Sequence, residues 1–120
     1  MRNPIHVIGH WLATRGVKRS PEWPAVRKSW LRLHPNCAAC NGTKNVEVHH
    51  IKSFHLYPEL ELCQTNFISL CERIGQEDHL DIGHTYQGKR NWKINNPDVV
   101  MEARRKLHEV LNEQVHDLST

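Results

Sequence analysis

Hydrophobic residues between positions 20 and 34 recur every three or four residues, which is the spacing of one face of an α-helix. The residues on this face are Trp23, Val26, Trp30 and Leu33. Ser20 is a favourable N-cap and Pro21 suits the first helical position, so the helix is predicted to begin there. It is predicted to end near His34, because the residue before a proline avoids helical angles.

The middle of the chain alternates short apolar segments with polar loops. Residues 45–51 and 66–70 have the character of short strands, and residues 77–82 are predicted to form a short helix that ends at Gly83. The predicted order is therefore strand, loop, strand, loop, helix. This order indicates an α+β fold.

A second long helix is predicted near the C-terminus. The sequence Asn96-Pro97-Asp98 provides a cap and a proline for its first turn. The hydrophobic positions that follow keep a helical period and include Val100, Ala103, Leu107 and either Val110 or Leu111. We expect this helix to run to about His116 and to pack against the first helix as a structural element.

The composition predicts one small domain, residues 1–120, with a thin core. Hydrophobic residues make up 38% of the chain, below the share that is usual for globular domains. Small domains of this kind often need an additional constraint such as a bound metal ion. Within the domain we distinguish a basic arm (1–18), a core (19–97) and the C-terminal helix (97–118).

The net charge of +3 conceals an uneven distribution of charge. Residues 1–36 carry +6, residues 37–84 carry −4 and residues 85–120 carry +1. A basic segment beside an acidic centre suits a phosphate backbone held against a cation site. The competing interpretation is a solvated tail without a partner. We interpret the basic arm as an extended or partly ordered segment, for which Trp11 is the candidate anchor to the domain.

The first 16 residues contain no long apolar run, which argues against a signal peptide and against a membrane span. A cytoplasmic, reducing location is therefore expected. In that environment the four cysteines are better suited to metal binding than to disulfides. Cys37 and Cys40 have the spacing of a zinc knuckle, and Asn41-Gly42 supplies its turn.

Further polar residues follow the knuckle, in the order His49-His50, Asn66, Cys71 and Asp78-His79. This order and spacing resemble the HNH nuclease family, whose core is a ββα-metal (His-Me) finger. The segments that also look like its small, largely phage-encoded members are Arg19 to Pro24, Phe54 to Leu62 and Gly83-His84. The resemblance covers roughly residues 19–97. It implies a ββα core with a zinc knuckle, flanked by an N-terminal and a C-terminal helix.

The resemblance assigns roles to the central residues. His50 falls at the position of the general base, a role that suits an imidazole because it titrates near neutral pH. His49 and His79 fall at the positions of ligands for a catalytic divalent metal such as Mg²⁺ or Mn²⁺. Asn66 falls at the position of the asparagine that orients the base. Because neighbouring strand residues point to opposite sides, His49 and His50 can share one site only where the strand bends or ends.

A structural zinc site is also predicted, and the cysteines assigned to it are Cys37, Cys40 and Cys71. Related sequences carry a fourth cysteine where this chain has Asp78. Asp78 could complete the site, His79 could complete it while His84 moves to the catalytic metal, or the site could be weak. His84 could otherwise be a phosphate donor or a structural residue. Cys63 has no place in this alignment and is expected in a loop.

The resemblance implies a metal-dependent DNA endonuclease that leaves a 3′-hydroxyl and a 5′-phosphate. Small phage enzymes of this kind often work with the terminase, so a phage or prophage role in DNA packaging, in the host cytoplasm, is expected. The residues assigned to DNA contact are Arg27, Lys28 and Arg32 in the first helix and Lys89 and Arg90 in a polar loop. The alternative is a non-catalytic zinc module that binds DNA or a protein. A restriction or homing role would need specificity elements, for which a chain of 120 residues has little room.

Overall fold

The chain has the predicted α+β architecture, with two short antiparallel sheets and two α-helices among the described residues. The computed structural model describes residues 18–73 and 75–119, with side chains as far as residue 115. The elements in chain order are α1 (Trp23–Leu33), β1 (Val46–His50), the 3₁₀ turns Pro58–Leu60 and Gln64–Asn66, β2 (Phe67–Cys71), a π-helix (His79–Gly83), β3 (Thr85–Tyr86), β4 (Lys89–Arg90) and α2 (Val99–Ser119). The predicted basic arm, apart from Lys18, and its anchor Trp11 lie outside the described residues.

The antiparallel pair β1–β2 forms the centre of the fold. Its register pairs are Val46–Cys71, Glu47–Leu70, Val48–Ser69, His49–Ile68 and His50–Phe67. All five residues of β2 are buried, because both faces of the strand are covered. Phe67 and Ser69 contact α1, whereas Ile68 and Leu70 belong to the main hydrophobic cluster. This division follows the alternation of side chains along a strand.

Helix α1 lies against one face of β2 through two tryptophans. The rings of Trp23 and Trp30 lie 5.5 Å and 5.4 Å from the ring of Phe67, both edge-on. Trp30 Nε1 also donates a hydrogen bond to Ser69 Oγ at 3.0 Å. The indole N–H is therefore satisfied at the helix–sheet contact, as a partly buried tryptophan requires.

The C-terminal end of α1 lies at Leu33, as predicted, but its first residue is Trp23 rather than Pro21. The Ser20 hydroxyl accepts the Glu22 amide at 3.1 Å, so Ser20 organises a turn before the helix instead of capping it. The predicted apolar face is only partly buried, since Leu33 is 70% exposed.

Helix α2 has the predicted capping sequence but not the predicted packing. Asn96 accepts the Asp98 amide through Oδ1 at 2.9 Å and donates to the Ile82 carbonyl through Nδ2 at 3.0 Å. The predicted packing against α1 is wrong. Helix α2 packs mainly on the π-helix, because its buried residues Val99 and Ala103 join the hydrophobic cluster that contains Ile82. Among the residues that the structure describes, no helix combines the length and apolar character needed to cross a lipid bilayer.

The segment around Lys89 and Arg90, predicted as a loop, contains a two-residue hairpin. Strands β3 and β4 pair across Gln87 and Gly88, whose φ angles are +52° and +77°. Two successive positive φ angles are typical of the type I′ turn, which matches the twist of a hairpin. Glycine adopts such an angle without strain, but Gln-Gly is a weaker sequence signal for this turn than Asn-Gly.

Candidate metal centres

Four buried side chains meet beside the knuckle, and their ligand atoms lie within 4.8 Å of one another. This Cys3Asp group consists of Cys37, Cys40, Cys71 and Asp78. Backbone hydrogen bonds close the knuckle turn: the Cys37 amide donates to the Gly42 carbonyl at 2.7 Å, and the Asn41 amide donates to the Cys37 carbonyl at 2.9 Å. The turn thereby holds the thiols of Cys37 and Cys40 on one side.

Distances within the Cys3Asp group match the geometry of a tetrahedral metal site. Cys40 Sγ and Cys71 Sγ are 3.8 Å apart, and Asp78 Oδ2 lies 3.4 Å from Cys37 Sγ and 3.3 Å from Cys71 Sγ. With Zn–S and Zn–O bonds of about 2.3 Å and about 2.0 Å, tetrahedral geometry places two sulfurs about 3.8 Å apart and a sulfur and an oxygen about 3.5 Å apart. The residues present therefore fit a bound metal ion, and the cysteines form no disulfide.

Asp78, and not His79, is the residue that the structure brings into the Cys3Asp group. Asp78 is 0% exposed, and its Oδ1 pairs with Lys106 of α2 while its Oδ2 faces the sulfurs. Burial disfavours both charges, but the hydrogen bond between the two groups lowers the pKa of Asp78 and raises the pKa of Lys106. Lys106 could not be assigned to this group from the sequence, because a lysine in a distant helix carries no metal-site signal.

Burial disfavours the thiolate form of Cys37 and Cys71. Burial raises the pKa of Cys37 to about 12 and also raises the pKa of Cys71. A metal ion reverses this preference, because the thiolate is the form that binds metals. Three thiolates and the Asp78 carboxylate carry four negative charges, of which a divalent ion and Lys106 together offset three.

A second group, the histidine group, consists of His49, His79 and His84. His49 lies in β1, His79 begins the π-helix and His84 follows it. The Nε2 of His79 is 3.0 Å from the Nδ1 of His49 and 3.2 Å from the Nε2 of His84. With metal–nitrogen bonds of about 2.1 Å, neighbouring nitrogens lie about 3.0 Å apart around an octahedral ion and about 3.4 Å apart around a tetrahedral one. The nitrogen spacing therefore fits a shared metal ion.

Two histidines of this group have their outer nitrogens engaged, which leaves lone pairs on the inner nitrogens. His79 Nδ1 pairs with the Glu72 carboxylate, and His84 Nδ1 donates to the Ile94 carbonyl at 2.6 Å. An oxygen acceptor beside the outer nitrogen, Nδ1, keeps the ring proton on that nitrogen, as in many metal-binding histidines. Burial lowers the pKa of His49 to about 2 and that of His84 to about 4, so these two rings are neutral near pH 7. A shared cation would relieve the repulsion between the converging lone pairs.

Gly83 makes room for the His49 ring. A Cβ atom at Gly83 would lie 3.0 Å from His49 Nδ1 and Cε1, a separation that forces a neighbour to move. The outer nitrogen, His49 Nε2, is buried and has no hydrogen-bond partner among the described residues. The sequence predicted Gly83 as the end of a helix but gave no sign of this close approach to His49.

His50 lines the same cleft as the histidine group, because β1 ends at this residue. Its Nε2 donates to the Glu61 carbonyl at 2.9 Å. Since a carbonyl only accepts hydrogen bonds, the proton is on Nε2 and Nδ1 is left as a free base. Burial lowers the pKa of His50, and the positive charge of Arg19 lowers it further, so the ring is mostly neutral near pH 7. The role of the Glu61 carbonyl could not be predicted from the sequence, since every residue has a backbone carbonyl and no motif marks this one.

The predicted role of Asn66 as the residue that orients the base is wrong. Among the described residues, its side chain bonds to Lys52 and not to the His50 ring: Oδ1 accepts the Lys52 amide at 2.8 Å, and Nδ2 donates to the Lys52 carbonyl at 3.0 Å. An amide side chain has both a donor and an acceptor, so it satisfies both backbone groups of one residue. Asn66 therefore fixes the backbone where the chain leaves β1, and the Glu61 carbonyl orients His50.

The predicted DNA-contact residues differ in their surroundings. Arg27 pairs with Glu47, and Arg90 pairs with Glu77 and Asp81, so these two charges are partly offset within the chain. The remaining three are exposed: Lys28, Arg32 and Lys89. Their contact with DNA stays a prediction.

No family model, no curated protein and no solved structure matches this chain. The site is therefore characterised from its own donor groups, the Cys3Asp group and the histidine group. The histidine group lies in an open cleft of about 150 Å³.

Replacing Cys40 by serine should release the metal from the Cys3Asp group, whereas replacing Cys63 should not. Cys63 is a matched control, because it lies outside the group and its Sγ pairs with Thr65. At the Cys3Asp group we expect about one tightly bound zinc per chain in the wild type and in Cys63→Ser, so the total zinc content of Cys40→Ser should be lower by about one, by plasma mass spectrometry. Cys40→Ser should also melt at a markedly lower temperature, since structural metal binding is coupled to folding. Equal zinc content in the two variants would contradict the assignment.

Replacing Lys106 by methionine should weaken metal binding at the Cys3Asp group. The substitution keeps most of the apolar stem but removes the charge that pairs with Asp78. We expect the zinc dissociation constant to rise by about 10–100-fold, the usual effect of removing a partner of a metal ligand. Arg105→Met is the control, because Arg105 pairs only with the exposed Glu109 among the described residues. Equal zinc affinities in the two variants, measured by competition with a chelator, would argue against this role.

Proposed function

We propose that this chain is a metal-dependent DNA endonuclease with an HNH-type ββα-metal core. The observation that carries the proposal is the shared cleft: a histidine with a free Nδ1, His50, lines it together with three convergent imidazole nitrogens. Hydrolysis of a phosphodiester needs a group that takes a proton from water and a cation that stabilises charge on the phosphate and the leaving oxygen. His50 suits the first need because its Nδ1 can accept a proton, and the three imidazole nitrogens suit the second because they can hold a cation.

His50 acts as the general base in this proposal. Its Nδ1 accepts the proton from the attacking water, while the Glu61 carbonyl keeps the second proton on Nε2. The same carbonyl stabilises the imidazolium that forms and holds the ring in one orientation. Trp23, whose ring centre lies 4.6 Å from that of His50, covers the base and restricts its movement. Asn66 contributes indirectly by fixing the backbone at Lys52.

His49, His79 and His84 would hold the catalytic divalent metal, which would stabilise the charge on the phosphate and on the departing 3′ oxygen. His84 therefore becomes a third ligand in the proposal. A set of imidazole donors favours a transition-metal ion over Mg²⁺, which prefers oxygen ligands. Glu72 and the Ile94 carbonyl orient two of the rings from outside.

The Cys3Asp group would hold a structural zinc ion, with Asp78 as the fourth ligand. The partner is DNA, and the exposed basic residues of α1 would add affinity that does not depend on sequence. By resemblance, the products carry a 3′-hydroxyl and a 5′-phosphate, and a phage or prophage enzyme that works with the terminase is the proposed setting.

Two substitutions should affect nicking of a supercoiled plasmid in distinguishable ways. His50→Ala removes proton abstraction but keeps all three metal donors, so the rate should fall by roughly 10²–10⁴-fold with metal affinity nearly unchanged. His79→Ala removes the central donor of the histidine group, so added Mn²⁺ should restore part of its activity. The measurement is the nicking rate as a function of Mn²⁺ concentration, on protein that already carries zinc in its Cys3Asp group and without added zinc, because free zinc would compete for the imidazole donors.

His108→Ala, on the exposed surface of α2, is the control and should nick as the wild type does. Near wild-type nicking by His50→Ala, or equal rescue of both variants by Mn²⁺, would show that the roles are assigned wrongly. If no metal supports nicking by the folded wild-type protein, the binding-module alternative replaces the nuclease.

A further inference from the structure

Arg19 lines the cleft that His50 and the histidine group share. It lies just before α1, and its side chain is 45% exposed. Its Nη1 donates to the Glu61 carboxylate at 3.4 Å, and its guanidinium carbon lies 4.2 Å from the centre of the Phe54 ring. The Glu61 carboxylate holds one edge of the guanidinium, and the Phe54 ring packs against one of its faces. The orientation of the guanidinium is therefore set before any ligand binds.

Most of the hydrogen-bonding capacity of this guanidinium is unused. A guanidinium has five N–H donors, whereas among the described residues Arg19 forms one side-chain hydrogen bond, to Glu61. The Glu61 carboxylate is itself shared, because it also accepts the Ser20 amide at 3.0 Å. The remaining donors of Arg19 are available to a ligand in the cleft.

The lining of the cleft favours an anion. Among the described residues that line it, Arg19 carries the one permanent charge, and no aspartate or glutamate is present. The other polar groups of the lining are histidines, Ser53 and Asn95. A cation bound by the histidine group would make the cleft more positive still, so an anion would be attracted from two directions.

We infer that Arg19 is a phosphate-binding residue, whose fork of N–H donors binds the non-bridging oxygens of a phosphodiester held between Arg19 and the histidine group. The substrate class rests on the proposed nuclease function. A planar guanidinium matches two phosphate oxygens at once, whereas a lysine offers only a point charge. Because Glu61 holds one edge of the guanidinium, the free N–H donors of Arg19 have a fixed direction. Arg19 would therefore contact one particular phosphate, unlike the general basic surface of the protein.

Dimethyl phosphate, a minimal phosphodiester, is the probe for this inference. It is titrated by calorimetry into the full-length protein loaded with zinc and Mn²⁺, and the metal content of each variant is measured alongside. Arg19→Gln should raise the dissociation constant by at least about tenfold, and Arg19→Lys should raise it less, because the charge is kept and the fork is lost. Arg104→Gln, an exposed arginine of α2, should leave it unchanged. With a DNA substrate, Arg19→Gln should lower kcat/KM by about 10²-fold.

Equal dimethyl phosphate affinity in the wild type and Arg19→Gln, with metal content unchanged, would overturn the inference, as would the absence of binding to the wild type. If Arg19→Gln does not fold, Arg19→Lys gives the same comparison, because it retains a cation for Glu61. If binding of dimethyl phosphate depends on Arg19 but no plasmid is nicked, the phosphate-binding role stands and the nuclease proposal fails.

Discussion

The convergence of three thiols and one carboxylate on a single point is the constraint on which the rest of the structure depends. The group joins the knuckle turn, the end of β2, the start of the π-helix and, through Lys106, helix α2. Three of its members, the cysteines, also belong to the main hydrophobic cluster. A bound cation would therefore do part of the stabilising that a larger apolar core does elsewhere, as expected for a chain with 38% hydrophobic residues.

The same constraint positions the histidine group, because two pairs of adjacent residues serve both groups. Cys71 belongs to the Cys3Asp group, and its neighbour Glu72 pairs with Nδ1 of His79, a member of the histidine group. Asp78 likewise belongs to the Cys3Asp group, and its neighbour in the chain is that same His79. Assembly of the Cys3Asp group thus brings His79, together with the Glu72 carboxylate that orients its ring, to the histidine group. The assembly of the Cys3Asp group therefore helps to place His79 in the cleft.

Sequence reasoning succeeded where a signal is local. The spacing of Cys37 and Cys40 and the apolar runs of β1 and β2 predicted elements that the structure contains, with strand limits shifted by one residue. The proline after His34 indicated the end of α1. Each of these signals depends on residues within a few positions of one another, where covalent geometry and hydrogen-bonding capacity decide the outcome.

Sequence reasoning failed where the outcome depends on distant pairing or on backbone atoms. The predicted packing partner of α2 was wrong, because the helical period shows which face of a helix is apolar but not which element covers that face. The role of Asn66 was wrong, because both an imidazole and a backbone peptide are suitable partners for an amide, and only the fold brings Lys52 to it. Lys106 and the Glu61 carbonyl went unrecognised for the same reason: each is more than ten residues from the group it serves.

The central proposal is that this chain binds one metal ion in each of two interlocked groups, the Cys3Asp group and the histidine group. The most direct test is X-ray diffraction from crystals grown with zinc and Mn²⁺, with anomalous data collected on both sides of the zinc absorption edge. We expect a zinc peak enclosed by the three sulfurs and Asp78 Oδ2, and a second metal peak among the nitrogens of His49, His79 and His84, which the two data sets identify as zinc or Mn²⁺. A zinc ion bound without Asp78, or a histidine group without an ion, would contradict the claim.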